Sequence, residues 1–178
     1  DAAIARRNAE ALEEFAYPYL EALWKGRAPA PVSPKFEVVI LPDAESQARH
    51  RPGAYGTYSM TTGRLTFGFV EANFPQTTFH EGYHQYMHRI VFRGDTERYA
   101  AMPVWLDEGL ATMHECLAAN FRLGAPLQGI PPDEMSLRFA VPTYRLGRLR
   151  EDLAAGNLLP LAEVLAWRDR RGEEVDFG

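Results

Sequence analysis

Residues 80–84 read His-Glu-Gly-Tyr-His, and the spacing of the two histidines has direct chemical consequences. On an α-helix, positions i and i+4 lie one above the other on the same face. The imidazoles of His80 and His84 can therefore both reach one cation at about 2.0–2.1 Å. Glu81 sits beside the first histidine and cannot easily join the same chelate, but its carboxylate can reach the position left for water. H-E-x-x-H is a zinc signature on these grounds. The expected cofactor is Zn2+, with a metal-activated water as nucleophile and Glu81 as general base.

A catalytic zinc site needs a third protein ligand and one open position. Twenty residues separate His84 from the acidic segment Trp105-Leu106-Asp107-Glu108-Gly109-Leu110-Ala111, at the start of a second predicted helix. Asp107 and Glu108 compete for the third place. Here the chain resembles the gluzincin metallopeptidases, which pair H-E-x-x-H with a downstream W-L-x-E-G-x-A segment. The match is carried by Trp105, Leu106, Glu108, Gly109 and Ala111, and the resemblance spans residues 53–120. It implies Glu108 as the third ligand, a zincin-like fold, and a peptide or protein substrate. Glu115 follows Glu108 by seven residues, nearly two turns along the same helix face. The resemblance gives it the role of an outer hydrogen-bond partner to a zinc-binding histidine. These families also supply a later Tyr or His to stabilise the oxyanion, and Tyr144 is the candidate.

The other histidines fit the pattern less well. His88 lies four residues beyond His84 on the same face, but about 6 Å further along the axis, so it reads as an outer partner or a surface residue. His50 falls in a polar stretch, and His114 beside Glu115 does not read as a ligand. Tyr83 and Tyr86 lie off the histidine stripe and read as packing residues. Cys116 reads as a small apolar residue, and as the single cysteine it can form no intrachain disulfide.

The elements that must position these groups follow from periodicity. Residues 2–25 read as a helix, with Pro18 as a kink or division point. The Pro-rich stretch 26–34 reads as a linker. Phe36–Leu41 reads as a buried strand, residues 42–53 as a loop or short helix, and Tyr55–Met60 with Leu65–Val70 as a hairpin around Thr61-Thr62-Gly63-Arg64. An exposed edge strand can bind an extended peptide by adding a strand to the sheet. Leu65, Thr66, Phe67 and Gly68 are the residues expected to form that edge. The motif helix spans 76–92, Gly94-Asp95 breaks it, and a second helix runs from Pro103 to Phe121. A Gly/Pro-rich connection spans 124–132. Two helical pieces separated by Gly156-Asn157 close the chain. The fold class is α+β: a small N-terminal sheet with a leading helix (1–75) packs on a mostly helical part carrying the zinc site (76–178), as one domain.

Composition narrows the function classes. The chain has 178 residues, 46% hydrophobic and 24% charged, as in an ordinary globular domain. A formal net charge of −5 supplies no basic surplus for nucleic acid. Arg145, Arg148 and Arg150 read as a solvated helix face. No run of about 18–20 apolar residues is available to span a bilayer, and no signal peptide is legible, so compartment and oligomeric state stay open. The alternative function is an inactive zinc-binding domain for peptide or partner recognition. A metal-free interaction domain and a zinc hydrolase acting on a non-peptide amide also stay open.

Overall fold

The computed structural model describes residues 2–24, 36–43, 45–46, 49, 56–68, 76–115 and 143–167. The linker at 26–34, His50, Cys116, the expected helix extension to Phe121 and the connection at 124–132 lie outside the described residues.

The leading helix is divided, for a reason visible in the sequence. It runs as α1 (Ala2–Glu10), a π segment (Ala11–Ala16) and α2 (Tyr17–Trp24). Pro18 has no N–H to donate back to the preceding turn. Just before it, the Tyr17 N–H reaches back five residues to the Leu12 carbonyl, the wider step of a π turn. Leu12 and Leu20 are buried by this helix, and Tyr17 stacks on Tyr86.

Three short strands form one mixed sheet: β1 (Glu37–Ile40), β2 (Gly56–Ser59) and β3 (Arg64–Phe67). β2 and β3 are the expected antiparallel hairpin, with Ser59 opposite Arg64. Gly63 sits at φ +68 and donates its N–H to the Ser59 carbonyl at 2.7 Å, a backbone state that favours glycine. β1 adds parallel to β3, so the strand order is β1-β3-β2. This corrects the expected edge. Leu65, Thr66 and Phe67 form the central strand, hydrogen-bonded on both sides and buried, and Gly68 is half-buried just beyond it. Their backbone groups are already committed to β1 and β2, so among the described strands the sheet edges are β1 and β2, and β2 lies against the motif helix.

The motif helix, α3 (Gln76–Tyr86), is the centre of packing. It contacts β2, β3, the α1–α2 unit and α5. Phe79, Tyr83 and Gln85 on it are fully buried. It continues through a π turn (Met87–Val91) and ends where Arg93 and Gly94 adopt positive φ. The short α4 (Thr96–Ala100) begins at Asp95, whose carboxylate accepts from the Arg98 N–H at 3.0 Å. α5 (Val104–Glu115) starts just after Pro103, and α6 (Thr143–Ala155) and α7 (Leu161–Ala166) are separated by Gly156 at φ +70. The class is α+β, a small three-stranded sheet against a mostly helical remainder. No helix among the described residues is long and apolar enough to cross a membrane.

One buried side chain ties these layers together. Gln85 accepts from the Tyr17 hydroxyl at 2.7 Å and donates to the Gly63 carbonyl at 3.0 Å and the Glu37 carbonyl at 3.4 Å. It thus joins α3 to the leading helix, the hairpin turn and β1. Replacing it with leucine keeps the volume but strips partners from one buried hydroxyl and two carbonyls. Gln85→Leu is expected to lower unfolding free energy by about 2–4 kcal/mol, read from urea denaturation; a loss below about 0.5 kcal/mol would show that these bonds are not the tie.

Candidate metal centre

Two helices build the centre. α3 presents His80 and His84 one turn apart, with ring centroids 5.0 Å apart. α5 crosses it and presents Glu108 from its second turn. The Glu108 carboxylate lies between the rings: Oε2 is 3.1 Å from His80 Nε2 and Oε1 is 3.4 Å from His84 Nε2. The three side chains each offer one ligand atom, all within 4.8 Å of one another, and so form a group that could hold a metal ion. A tetrahedral ion with bonds of about 2.0–2.1 Å needs ligand atoms about 3.3 Å apart. The carboxylate-to-imidazole separations are near that edge, one from Oε2 and the other from Oε1.

The far side of each ring is held as well. His80 Nδ1 lies 2.8 Å from Glu115 Oε1. His84 Nδ1 lies 2.9 Å from the Tyr99 hydroxyl and 3.2 Å from Asp107 Oδ2. Tyr99 donates its own proton to Asp107, whose two oxygens lie 2.8 and 3.1 Å away. Each Nδ1 gives its proton to this outer shell and each Nε2 gives a second proton towards Glu108; losing that second proton leaves the Nδ1–H tautomer with an Nε2 lone pair directed at the same point. That tautomer suits a metal bound through Nε2.

Electrostatics select a cation. Asp107, Glu108 and Glu115 bring three carboxylates to the two rings, and Glu81 adds its charge near His80, against Arg145 as a permanent positive charge. Burial alone would lower the His80 pKa, but its bonds with Glu108 and Glu115 outweigh burial and hold it at about 9. Burial likewise opposes protonation of His84, yet Asp107 and Glu108 keep it well above the ordinary histidine value. Burial would raise the Glu108 carboxyl, but the facing His84 and His80 hold it far below the usual carboxylate range. These positions hold protons only because they attract positive charge, which is also what a divalent ion requires.

The sequence candidates fall in different places. His80, His84, Glu108 and Glu115 come together as described. Glu81 is half-buried on α3 and lies against β2: a Cβ placed on Gly56 would come within 3.1 Å of Glu81 Cγ and collide with Thr77. The glycine is what lets strand and helix approach so closely at that carboxylate. Tyr144 is in the first turn of α6, and its side chain lies outside the described residues. Asp107 faces the opposite nitrogen of His84 from Glu108. His88 is buried and hydrogen-bonded to Tyr58 and Thr96, away from the cluster. His114 donates from Nδ1 to the Leu110 carbonyl, and burial pushes it down to about 4, so it stays neutral against Tyr83 and Tyr19.

Two participants escaped the sequence reading. Tyr99 carried no signal beyond being a tyrosine in a short helix. Arg145 read as part of a solvated face, whereas it pairs with Glu115; Arg148, on the same helix, is largely exposed.

A metal ion bound by this group would displace protons. The metal-free His80 titrates at about 9 and His84 higher than usual, so at pH 7 the rings hold protons that a cation expels. Affinity should therefore rise with pH towards 9 and fall below it, by about tenfold per pH unit for each proton displaced. Zinc titrations between pH 6.5 and 8.5, in buffers of different ionisation enthalpy, measure both the slope and the protons released; a flat profile would contradict the geometry. Comparison with known proteins adds no constraint, since no family model, curated protein or solved structure matches the chain.

Proposed function

We propose that the protein is a zinc-dependent peptide-bond hydrolase of the gluzincin type, with a zincin-like arrangement of helix and strand around its metal. The observation that carries this reading is the Glu108 carboxylate facing Nε2 of both His80 and His84 while separate groups hold both Nδ1 atoms. A pair of histidines on a helix by chance has no reason to acquire a shared carboxylate on one side and a dedicated acceptor on the other.

In this reading His80, His84 and Glu108 hold the ion. A bound zinc ion supplies Lewis acidity, acidifying water and polarising the scissile carbonyl. Glu81 takes the proton from the water as its oxygen attacks the carbonyl carbon, then gives it to the departing amine as the C–N bond breaks. Asp107 and Tyr99 fix the ring of His84. Tyr144 is the proposed donor to the oxyanion, supported by its place in the chain: the next residue, Arg145, reaches Glu115 at the edge of the centre.

The substrate strand is proposed to add to β2 rather than β3. β2 pairs with β3 on one side and passes Glu81 at Gly56. A peptide extended along β2 would bring its carbonyls past that carboxylate, with main-chain hydrogen bonds giving affinity.

The role of Glu81 separates an enzyme from a metal-binding recognition domain. Glu81→Gln should leave zinc affinity within about threefold and reduce hydrolysis of unstructured peptides by about 10²–10⁴. Wild-type protein that binds one zinc but cleaves no peptide would favour the recognition domain, and equal hydrolysis by both forms would remove Glu81 as the base.

A further inference from the structure

Arg145 departs from its neighbours on α6. Its guanidinium grips Glu115 at two points, Nε donating to Oε2 at 2.9 Å and a terminal nitrogen donating to Oε1. Arg148, on the same helix, pairs with Glu151 and Asp152 at the surface. The Glu115 side chain is 4% exposed, whereas that of Arg145 is 44% exposed, so the contact runs from the protein surface to a buried carboxylate. Oε1 is the same oxygen that faces His80 Nδ1 at 2.8 Å.

We propose that Arg145 is a positioning residue for the centre: by clamping Glu115 it fixes the ring of His80, which makes α6 a working part of a site whose ligands all come from α3 and α5. The proposal rests on the metal reading above. Glutamate has three rotatable bonds, and one hydrogen bond to an imidazole does not fix the carboxylate plane. A planar two-point fork does, in a way a single ammonium cannot. A nearby permanent positive charge also offsets the cost of burying the Glu115 carboxylate. Once the Glu115 plane is set, the His80 Nδ1–H direction is set, and the Nε2 lone pair on the opposite side of the ring is aimed at the point shared with His84 and Glu108. Releasing the fork lets carboxylate and ring swing together, so the lone pair is spread over directions that no longer meet the other two ligands.

The test compares wild type, Arg145→Gln, Arg145→Lys, Glu115→Gln, the double variant Glu115→Gln/Arg145→Gln, and Arg148→Gln. Zinc affinity is measured by competition with a chromogenic chelator, the visible spectrum of the cobalt-loaded protein reports ligand geometry, and thermal unfolding of the metal-free proteins monitors folding. Arg145→Gln should weaken zinc binding about tenfold, the lower end for loss of an outer partner, and shift the cobalt bands. Arg145→Lys should recover only part of the loss, and Arg148→Gln should match wild type. If Arg145 acts through Glu115, its loss should vanish in the Glu115→Gln background. Zinc affinity of Arg145→Gln within twofold of wild type, or a full additional loss in the double variant, overturns the proposal. Wild type that takes up no zinc would instead bring down the metal reading itself, and this inference with it.

Discussion

The crossing of α3 over α5 sets everything else, because it brings a carboxylate between two imidazoles away from bulk water. Buried like charges repel and buried unpaired charges are costly. The centre answers this by alternation: Glu115 on one side of His80 and Glu108 on the other, then His84, then Asp107 with Tyr99. Each ring nitrogen faces an oxygen, and each carboxylate faces a nitrogen or a hydroxyl. Such a row is satisfied by protons or by a cation, and the net excess of negative charge favours the cation.

The rest of the fold keeps that crossing in register. Gly82 on α3 faces Leu12, which a side chain at 82 would strike. Gly56 brings β2 against another side of the same helix, at Thr77 and Glu81. Gln85, one residue beyond His84, binds the hairpin turn, β1 and the leading helix at once. The motif helix is therefore fixed along its length by groups that differ in kind: close backbone approach at two glycines and polar bonds at one glutamine. A helix held this way has little freedom to rotate, which is what a preorganised metal site would ask of it.

How much of this was legible depended on sequence distance. The pair His80 and His84 declares itself through the period of the helix. Glu108 and Glu115 declare their shared face through a spacing of seven. The choice between Asp107 and Glu108 was open in the sequence, because adjacent residues differ only by about 100° of helix rotation; in the structure both reach His84, from opposite nitrogens. The hairpin was readable from Gly63 and the flanking strands. The side on which β1 joins was not, since a parallel partner arrives through a long connection with no local signal, and so the sequence alone reads the central strand as an edge. Arg145 and Tyr99 were missed for the same reason. Their partners lie 30 and 15 residues away in the chain, and nothing in an arginine-rich helix marks which arginine turns inward. The π turns were only half legible: Pro18 announced a disturbance in the first helix, but no residue announced the second.

The most direct test of the centre is an anomalous difference map recorded across the zinc absorption edge from crystals of the zinc-loaded protein. The account predicts one zinc ion per chain, bound by Nε2 of His80, Nε2 of His84 and the Glu108 carboxylate at about 2.0–2.2 Å, with both Nδ1 atoms still facing Glu115 and the Tyr99–Asp107 pair. A zinc ion ligated by Asp107 while Glu108 turns away, or no zinc between α3 and α5, would contradict it.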